Sequence, residues 1–144
     1  MKFAAPLLAL ALVAGPAMAR DTVVQIPLAD VLSMPEAQEK LDGSVKFYLA
    51  GQHTPAIQTK MGSDVSNQKT NALNKSDEQA CRWAILSTLI SFQESAKKRH
   101  ANAVVDIVSY YKKEERRDKE TIECHSGTMI AGAAIKGSYA KIGR

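Results

Sequence analysis

The chain has 144 residues, 24% of them charged, and a formal net charge of +4. A length of this order fits one domain rather than several. The basic residues are spread among acidic neighbours, whereas nucleic-acid-binding proteins gather them on one face, so we expect no nucleic-acid partner.

The first nineteen residues have the pattern of a cleavable secretory signal. Lys2 is followed by the apolar run Phe3–Ala14, and small residues at 17 and 19 precede a predicted cleavage between Ala19 and Arg20. A membrane anchor is the alternative, but a bilayer span needs roughly 18 to 20 apolar residues, and the run Phe3–Ala14 is shorter than that. No cysteine lies near the predicted cleavage point, so the attachment residue of a lipoprotein is absent there. We predict a periplasmic or secreted protein, residues 20–144, that is not embedded in the membrane after cleavage.

The two cysteines, Cys81 and Cys124, lie in the predicted mature protein. In an oxidising compartment an even count favours one structural disulfide. Closing a loop of this size stabilises a fold by about 4 kcal/mol in the chain-entropy model. A reactive redox pair is the alternative, although the C-x-x-C spacing of oxidoreductases is absent.

Three elements are predicted before residue 50. The β-branched stretch Asp21–Leu28 indicates a strand, and Pro27 places it at a sheet edge. A short helix follows over residues 28–41, interrupted by Pro35. The clean alternation of Ser44–Leu49 predicts a second strand with Val45, Phe47 and Leu49 on one face.

The stretch Ala50–Lys75 is polar and long for a connection in a compact domain. It either contains a short strand near Ala56–Lys60 or forms a functional loop. The polar loop Gln52–Asn74 is therefore our first candidate binding segment.

Ser76 begins the clearest helix, because Ser-Asp-Glu-Gln has the spacing of a capping box. Apolar residues recur at helical spacing from Cys81 to Ala96, and basic residues follow at the end. Cys81 lies on the buried side of the first turns. Its partner cysteine must therefore come from a strand that packs beneath the start of this helix.

The pattern of the C-terminal third of the sequence predicts three strands. Ala103–Tyr111 and Glu120–His125 indicate a hairpin with the charged tip Lys112–Lys119. The last strand, Thr128–Lys136, is rich in alanine and glycine and allows close approach of a neighbour. The fold class is therefore α+β, with one long helix packed on a small mixed or antiparallel sheet in a single domain.

Residues with chemical potential do not form a recognisable set. His53, His100 and His125 lack metal-ligand spacing, so we predict no metal site and no cofactor. Ser126 follows His125 directly, and neighbours in a strand point to opposite faces, so they are not expected to form a catalytic dyad.

Two other features in the sequence leave alternatives open. Asp106 lies in an apolar strand and must face water or find a partner. Trp83 and the pair Tyr110–Tyr111 form either an exposed aromatic contact site or edges of the core.

Four stretches in order resemble small exported proteobacterial proteins of unknown role that often carry the label "excinuclease ATPase subunit". The stretches are KFYLAG (Lys46–Gly51), KTNALNKSDEQACRWA (Lys69–Ala84), ANAVVDIVSYYK (Ala101–Lys112) and ECHSGTMIAG (Glu123–Gly132). The chain is more distantly similar to RcsF and the YbjQ-type domains, which implies a helix packed on a small sheet. RcsF-like domains carry two disulfides, whereas this chain has cysteines for one.

In those similar sequences a glycine commonly precedes A-N-A-V. His100 holds that position here and is expected to adopt a turn conformation that glycine accepts freely.

The ATPase label is not supported by a phosphate-binding loop. Gly127 and Gly132 have the spacing of that motif, but Ala133 and Ala134 replace its lysine and its serine or threonine. We therefore expect no nucleotide partner.

The leading hypothesis is a non-enzymatic domain that binds an envelope protein or an anionic envelope surface through the polar loop Gln52–Asn74 or the hairpin side. The alternative is a redox- or metal-sensing module centred on Cys81 and Cys124. A small hydrolase is a third possibility, for which the sequence offers no catalytic set.

Overall fold

The computed structural model describes residues 20–143. The predicted signal, with Ala19 on the near side of its cleavage site, lies outside the described residues. The strands and helices in chain order are β1 (Thr22–Pro27), α1 (Leu28–Leu32), α2 (Pro35–Lys40), β2 (Lys46–Leu49), β3 (Ile57–Asn71), α3 (Asp77–Lys98), β4 (Ala103–Ser109), a 3-10 turn (Tyr111–Lys113), β5 (Thr121–Ser126) and β6 (Ile130–Ile142).

The six strands form one mixed sheet in the order β1-β5-β6-β4-β2, and β3 pairs with the other edge of β6. The pairing of β2 with β4 is parallel and the other pairings are antiparallel. β3 runs along almost the whole of β6, while β5 and β4 share the opposite edge of β6. The predicted α+β single domain is confirmed, and α3 is its one long helix beside two short ones.

The prediction of a hairpin was wrong. β4 and β5 do not pair with each other. Both pair with the same edge of β6, β5 near its start and β4 further along, and the segment between them contributes only an isolated bridge between Ser109 and Arg116. β6 is the strand richest in buried small residues, with Ala131, Ala133 and Gly137 on its helix-facing side. A strand that is apolar on its buried face is stabilised most at the centre of a sheet, which places β6 between β3 on one edge and both β4 and β5 on the other.

The polar segment is a strand rather than a loop. β3 spans 15 residues, so the predicted loop Gln52–Asn74 was wrong and the alternative short strand was too short. Most of its side chains are exposed, which is compatible with an edge position where the backbone is paired on one side. Gly62, with φ of 88°, lies at an irregularity in the pairing with β6.

The long helix begins as predicted. Ser76 is its N-cap, and the Ser76 hydroxyl accepts a hydrogen bond of 3.1 Å from the Gln79 N–H. The helix packs on the sheet with its buried residues Cys81, Ala84, Ile85, Thr88, Leu89, Phe92 and Ala96. Within residues 20–143 no helix is long and apolar enough to cross a membrane.

Small residues in β6 allow α3 and β4 to approach closely, as the sequence predicts. A Cβ added at Gly137 would lie 2.7 Å from Cγ1 of Val104 and 3.7 Å from Cε1 of Phe92. Only glycine fits there without displacing core side chains.

Cys81 and Cys124 form the predicted disulfide. Their Cα atoms are 5.7 Å apart, and the bridge joins the first turns of α3 to β5 beneath them. Both residues are fully buried.

Candidate functional site

A groove runs along the free edge of β2, between that strand and the short helices α1 and α2. We call it the β2 groove. It consists of two adjoining clefts of about 360 and 560 Å³. The first is lined by Leu32, Ala37, Gln38, Leu41, Gly43, Val45, Lys46, Phe47 and Tyr48, and the second by Leu28, Ala29, Leu32, Phe47, Tyr48, Gly51, Gln52, His53 and Lys119.

The floor of the β2 groove is apolar because of how its walls fold. β2 alternates as predicted, so Val45 and Phe47 turn their side chains to the core. From the helices, Leu32 and Leu41 pack against the same core while they stay partly exposed. These partly covered side chains give the groove an apolar surface that a ligand can bury.

The backbone of β2 is oriented for strand addition at this edge. The N–H of Lys46 donates to the carbonyl of Asn102 at 3.0 Å, and the N–H of Ala50 donates to Ile107 at 2.9 Å. Because peptide groups alternate in direction along a strand, Phe47 directs its N–H and C=O away from β4 and into the groove. The next such group, the N–H of Leu49, donates to Oε1 of Gln52 at 2.8 Å.

The rim of the groove carries basic side chains. Its basic lining residues are Lys46, His53 and Lys119, and no carboxylate is among the residues that line the two clefts. Asp42, which precedes Gly43, is held by Lys97 at 2.6 Å. This hydrogen bond, with those from Ser44, keeps the pKa of Asp42 well below its usual range. An anionic group is therefore the favoured complement of this rim.

Contacts from distant parts of the chain hold one end of the groove in place. Nε2 of Gln52 donates to the carbonyl of Lys119 at 2.9 Å. Gly51, with φ of 91°, would place a Cβ 3.4 Å from Cβ of Lys119. The turn after β2 and the segment before β5 are thus packed together, which brings His53 and Lys119 to the same cleft.

The three histidines lie in different places. His53 lines the β2 groove, His100 follows α3, and His125 lies on the face of the sheet opposite α3. The His125 ring stacks on Tyr111 at 3.6 Å between centroids, and its Nδ1 is 2.8 Å from Oδ1 of Asp21. Within residues 20–143 no three His, Cys, Asp or Glu side chains are placed to hold a metal ion.

Ser126 and His125 point to opposite faces of β5, as predicted. The Ser126 hydroxyl is buried and donates to Oδ1 of Asp77 at 2.8 Å, beneath the start of α3. The two side chains therefore do not form a dyad.

The structure also decides between the alternatives that the sequence left open for Asp106 and for the aromatic residues. Asp106 is exposed, with φ of 56°, and its Oδ1 lies 3.4 Å from Nη2 of Arg117, so it both faces water and has a partner. Trp83 packs partly buried against the core. Tyr110 lies beneath the ammonium group of Lys136, which is 5.4 Å from its ring centroid.

The β2 groove was missed by sequence reasoning, although its strand was predicted. Its only local signals are the alternation of residues 44–49 and the polar turn after it. Comparison with protein-family models, with curated proteins and with solved structures returned no match to this chain. The resemblance to RcsF and YbjQ-type domains stays a prediction.

Proposed function

We propose that this protein is an exported, non-enzymatic binding domain that holds an extended segment of an envelope protein in the β2 groove. The observation that carries the proposal is an apolar groove along the free edge of a strand. An extended peptide adds to such an edge through main-chain hydrogen bonds, and adjacent pockets take its side chains.

The groove indicates the chemistry of the segment. An apolar side chain fits the first cleft, over Leu32, Leu41 and Phe47. The second cleft, with His53 and Lys119 at its rim, favours a carboxylate from an acidic side chain or a C-terminus. Backbone pairing would involve the peptide group of Phe47.

The compartment in this proposal rests on the secretory pattern of residues 1–19. The buried bridge between Cys81 and Cys124 supports a binding domain over the redox alternative, because thiol exchange needs an accessible sulfur and both residues are fully buried. A disulfide of this kind holds α3 on the sheet that supports the groove.

Site-specific photo-crosslinking in cells tests the binding site. A photoreactive amino acid is placed at Ala29 or Gln38, which line the two clefts, and at Lys98 as a control on the exposed end of α3. We expect one envelope protein to be captured from both groove positions and not from Lys98. Equal capture from all three positions, or no capture, would contradict the proposal.

The captured segment is then identified by mass spectrometry and synthesised with and without its carboxylate. Fluorescence anisotropy is expected to show about fivefold weaker binding of the neutral peptide, as for an exposed ion pair. Lys119→Glu should weaken binding of the acidic peptide, and Lys98→Glu, the same charge change outside the groove, should not. Equal binding of both peptides would contradict the role of the rim.

A further inference from the structure

Three exposed apolar side chains cluster at one end of the sheet, around the turn between β5 and β6. The exposed fractions are 48% for Leu73, 66% for Met129 and 55% for Ile130. The N–H of Ala72 donates to the carbonyl of Met129 at 2.8 Å, which places Leu73 beside that turn. We call Leu73, Met129 and Ile130 the apolar tip.

The apolar tip is not explained by the fold. Single exposed apolar residues are common on proteins and need no explanation, whereas a cluster indicates a contact surface. Six large apolar side chains are exposed within residues 20–143; half belong to the tip, and Met129 and Ile130 are the two most exposed. The turn itself is closed by a backbone hydrogen bond from Gly127 to Ile130, at 2.8 Å, which does not need apolar side chains.

Two lysines lie beside the tip. Lys69 lines the shallow depression beside Met129 and Ile130, and Lys75 follows Leu73 closely in the chain. Neither lysine makes an ion pair within the part of the chain that the structure describes.

The nearby carboxylates are already paired. Asp77 binds the Arg20 guanidinium and the Ser126 hydroxyl, Asp21 binds His125, and Glu78 lies 3.8 Å from Arg82. The tip therefore combines apolar side chains with two unpaired cations.

The apolar leader joins the folded domain at this same end. Arg20 is the first described residue, and its Nη1 donates to the carbonyl of Gly127 at 3.3 Å, in the turn that carries Met129. The run Phe3–Ala14 precedes it in the chain. The N-terminal end of the described chain therefore lies beside the turn of the apolar tip.

We propose that the apolar tip docks on the surface of an anionic lipid bilayer. Leu73, Met129 and Ile130 would enter the boundary between headgroups and acyl chains, while Lys69 and Lys75 bind anionic headgroups. The docked domain leaves the β2 groove, which uses other residues, free for its partner. This inference does not depend on the proposed function.

Vesicle sedimentation tests the docking. The protein is purified from the exported fraction, and its N-terminus is determined by mass spectrometry so that leader-mediated binding is recognised. Vesicles contain either phosphatidylethanolamine with phosphatidylglycerol or phosphatidylcholine alone. We expect binding to the anionic vesicles, weakened at least about tenfold in the double variant Met129→Asp/Ile130→Asp because apolar burial is lost.

The matched control is Val65→Asp, the same kind of change at an apolar residue that is 45% exposed on β3, away from the tip. It should bind vesicles as the unaltered protein does. Lys69→Glu/Lys75→Glu should abolish the preference for anionic vesicles. Equal binding to both vesicle types, equal loss in Val65→Asp, binding retained by Met129→Asp/Ile130→Asp, or no binding would each overturn the proposal.

Discussion

His100 holds a backbone conformation that suits glycine better than histidine. Its φ is 59°, and the N–H groups of His100 and Ala101 close the helix end on the carbonyls of Lys97 and Ala96, at 3.1 and 2.9 Å. This is the hydrogen-bond pattern of a Schellman motif, in which the left-handed position is usually glycine. The turn conformation predicted for His100 from the resemblance is confirmed by its positive φ.

His100→Gly is therefore expected to stabilise the protein by about 1 kcal/mol, because it relieves the left-handed conformation of a residue with a Cβ. Urea denaturation measures the effect. His100→Ala, which keeps the Cβ, is the control and should show no comparable gain. A variant with glycine that is no more stable than the original would contradict this account.

At the scale of elements, the features that the sequence predicts well are those made by neighbours in the chain. α3 begins at its Ser76 cap, and β2 alternates as its residues require. The predicted hairpin failed because β4 and β5 each pair with β6 and not with each other. β3 was misjudged because a polar edge strand has the composition of a loop.

The disulfide joins two elements, α3 and β5, that are far apart in the sequence. Cys81→Ser/Cys124→Ser is expected to lower the free energy of unfolding by about 4 kcal/mol, since it releases a closed loop of 43 positions. Chemical denaturation measures the loss. The unaltered protein under reducing conditions is the control and should behave like the variant.

Thiol labelling addresses the redox alternative with the same protein. The two sulfurs are bonded to each other, so the exported protein without reductant should take up no label even when it is denatured. Free thiols in that sample would contradict the structural disulfide.

At the scale of the whole molecule, two carboxylates tie distant parts of the chain together. Asp42 binds Lys97 on α3, and its pKa is lowered. Asp77 binds Arg20 and Ser126, and its pKa is also lowered, mainly by the hydrogen bond from Arg20. A group whose pKa is lowered on folding stabilises the protein above its unfolded pKa, and this contribution is lost as the pH falls toward the folded pKa.

We therefore expect Asp42→Asn/Asp77→Asn to be less stable than the original protein at neutral pH. The difference should shrink below about pH 4, the ordinary pKa of an aspartate. Thermal denaturation at a series of pH values measures it. Asp30→Asn is the control, since Asp30 lies 3.9 Å from Arg82 in an exposed pair. A difference that stays constant down to pH 2 would contradict the assignment.

The candidate sites are properties of the whole molecule as well. The β2 groove combines α1, α2, β2 and Lys119, and the apolar tip combines Leu73 with Met129 and Ile130. None of these combinations has a signature at short range. A pattern in the sequence reports which face of an element is apolar, but not which elements will leave that face partly uncovered.

The sequence by itself determined the α+β class, the start of α3 and the pairing of its only two cysteines, and it predicts the secretory address. These follow from local hydrogen bonding, side-chain periodicity and counting. The tertiary structure alone decided that β4 and β5 pair with β6 and not with each other, that the polar segment is an edge strand, and where the groove and the tip lie. Those features depend on competition between distant segments for burial, and that competition is settled only when the whole chain packs.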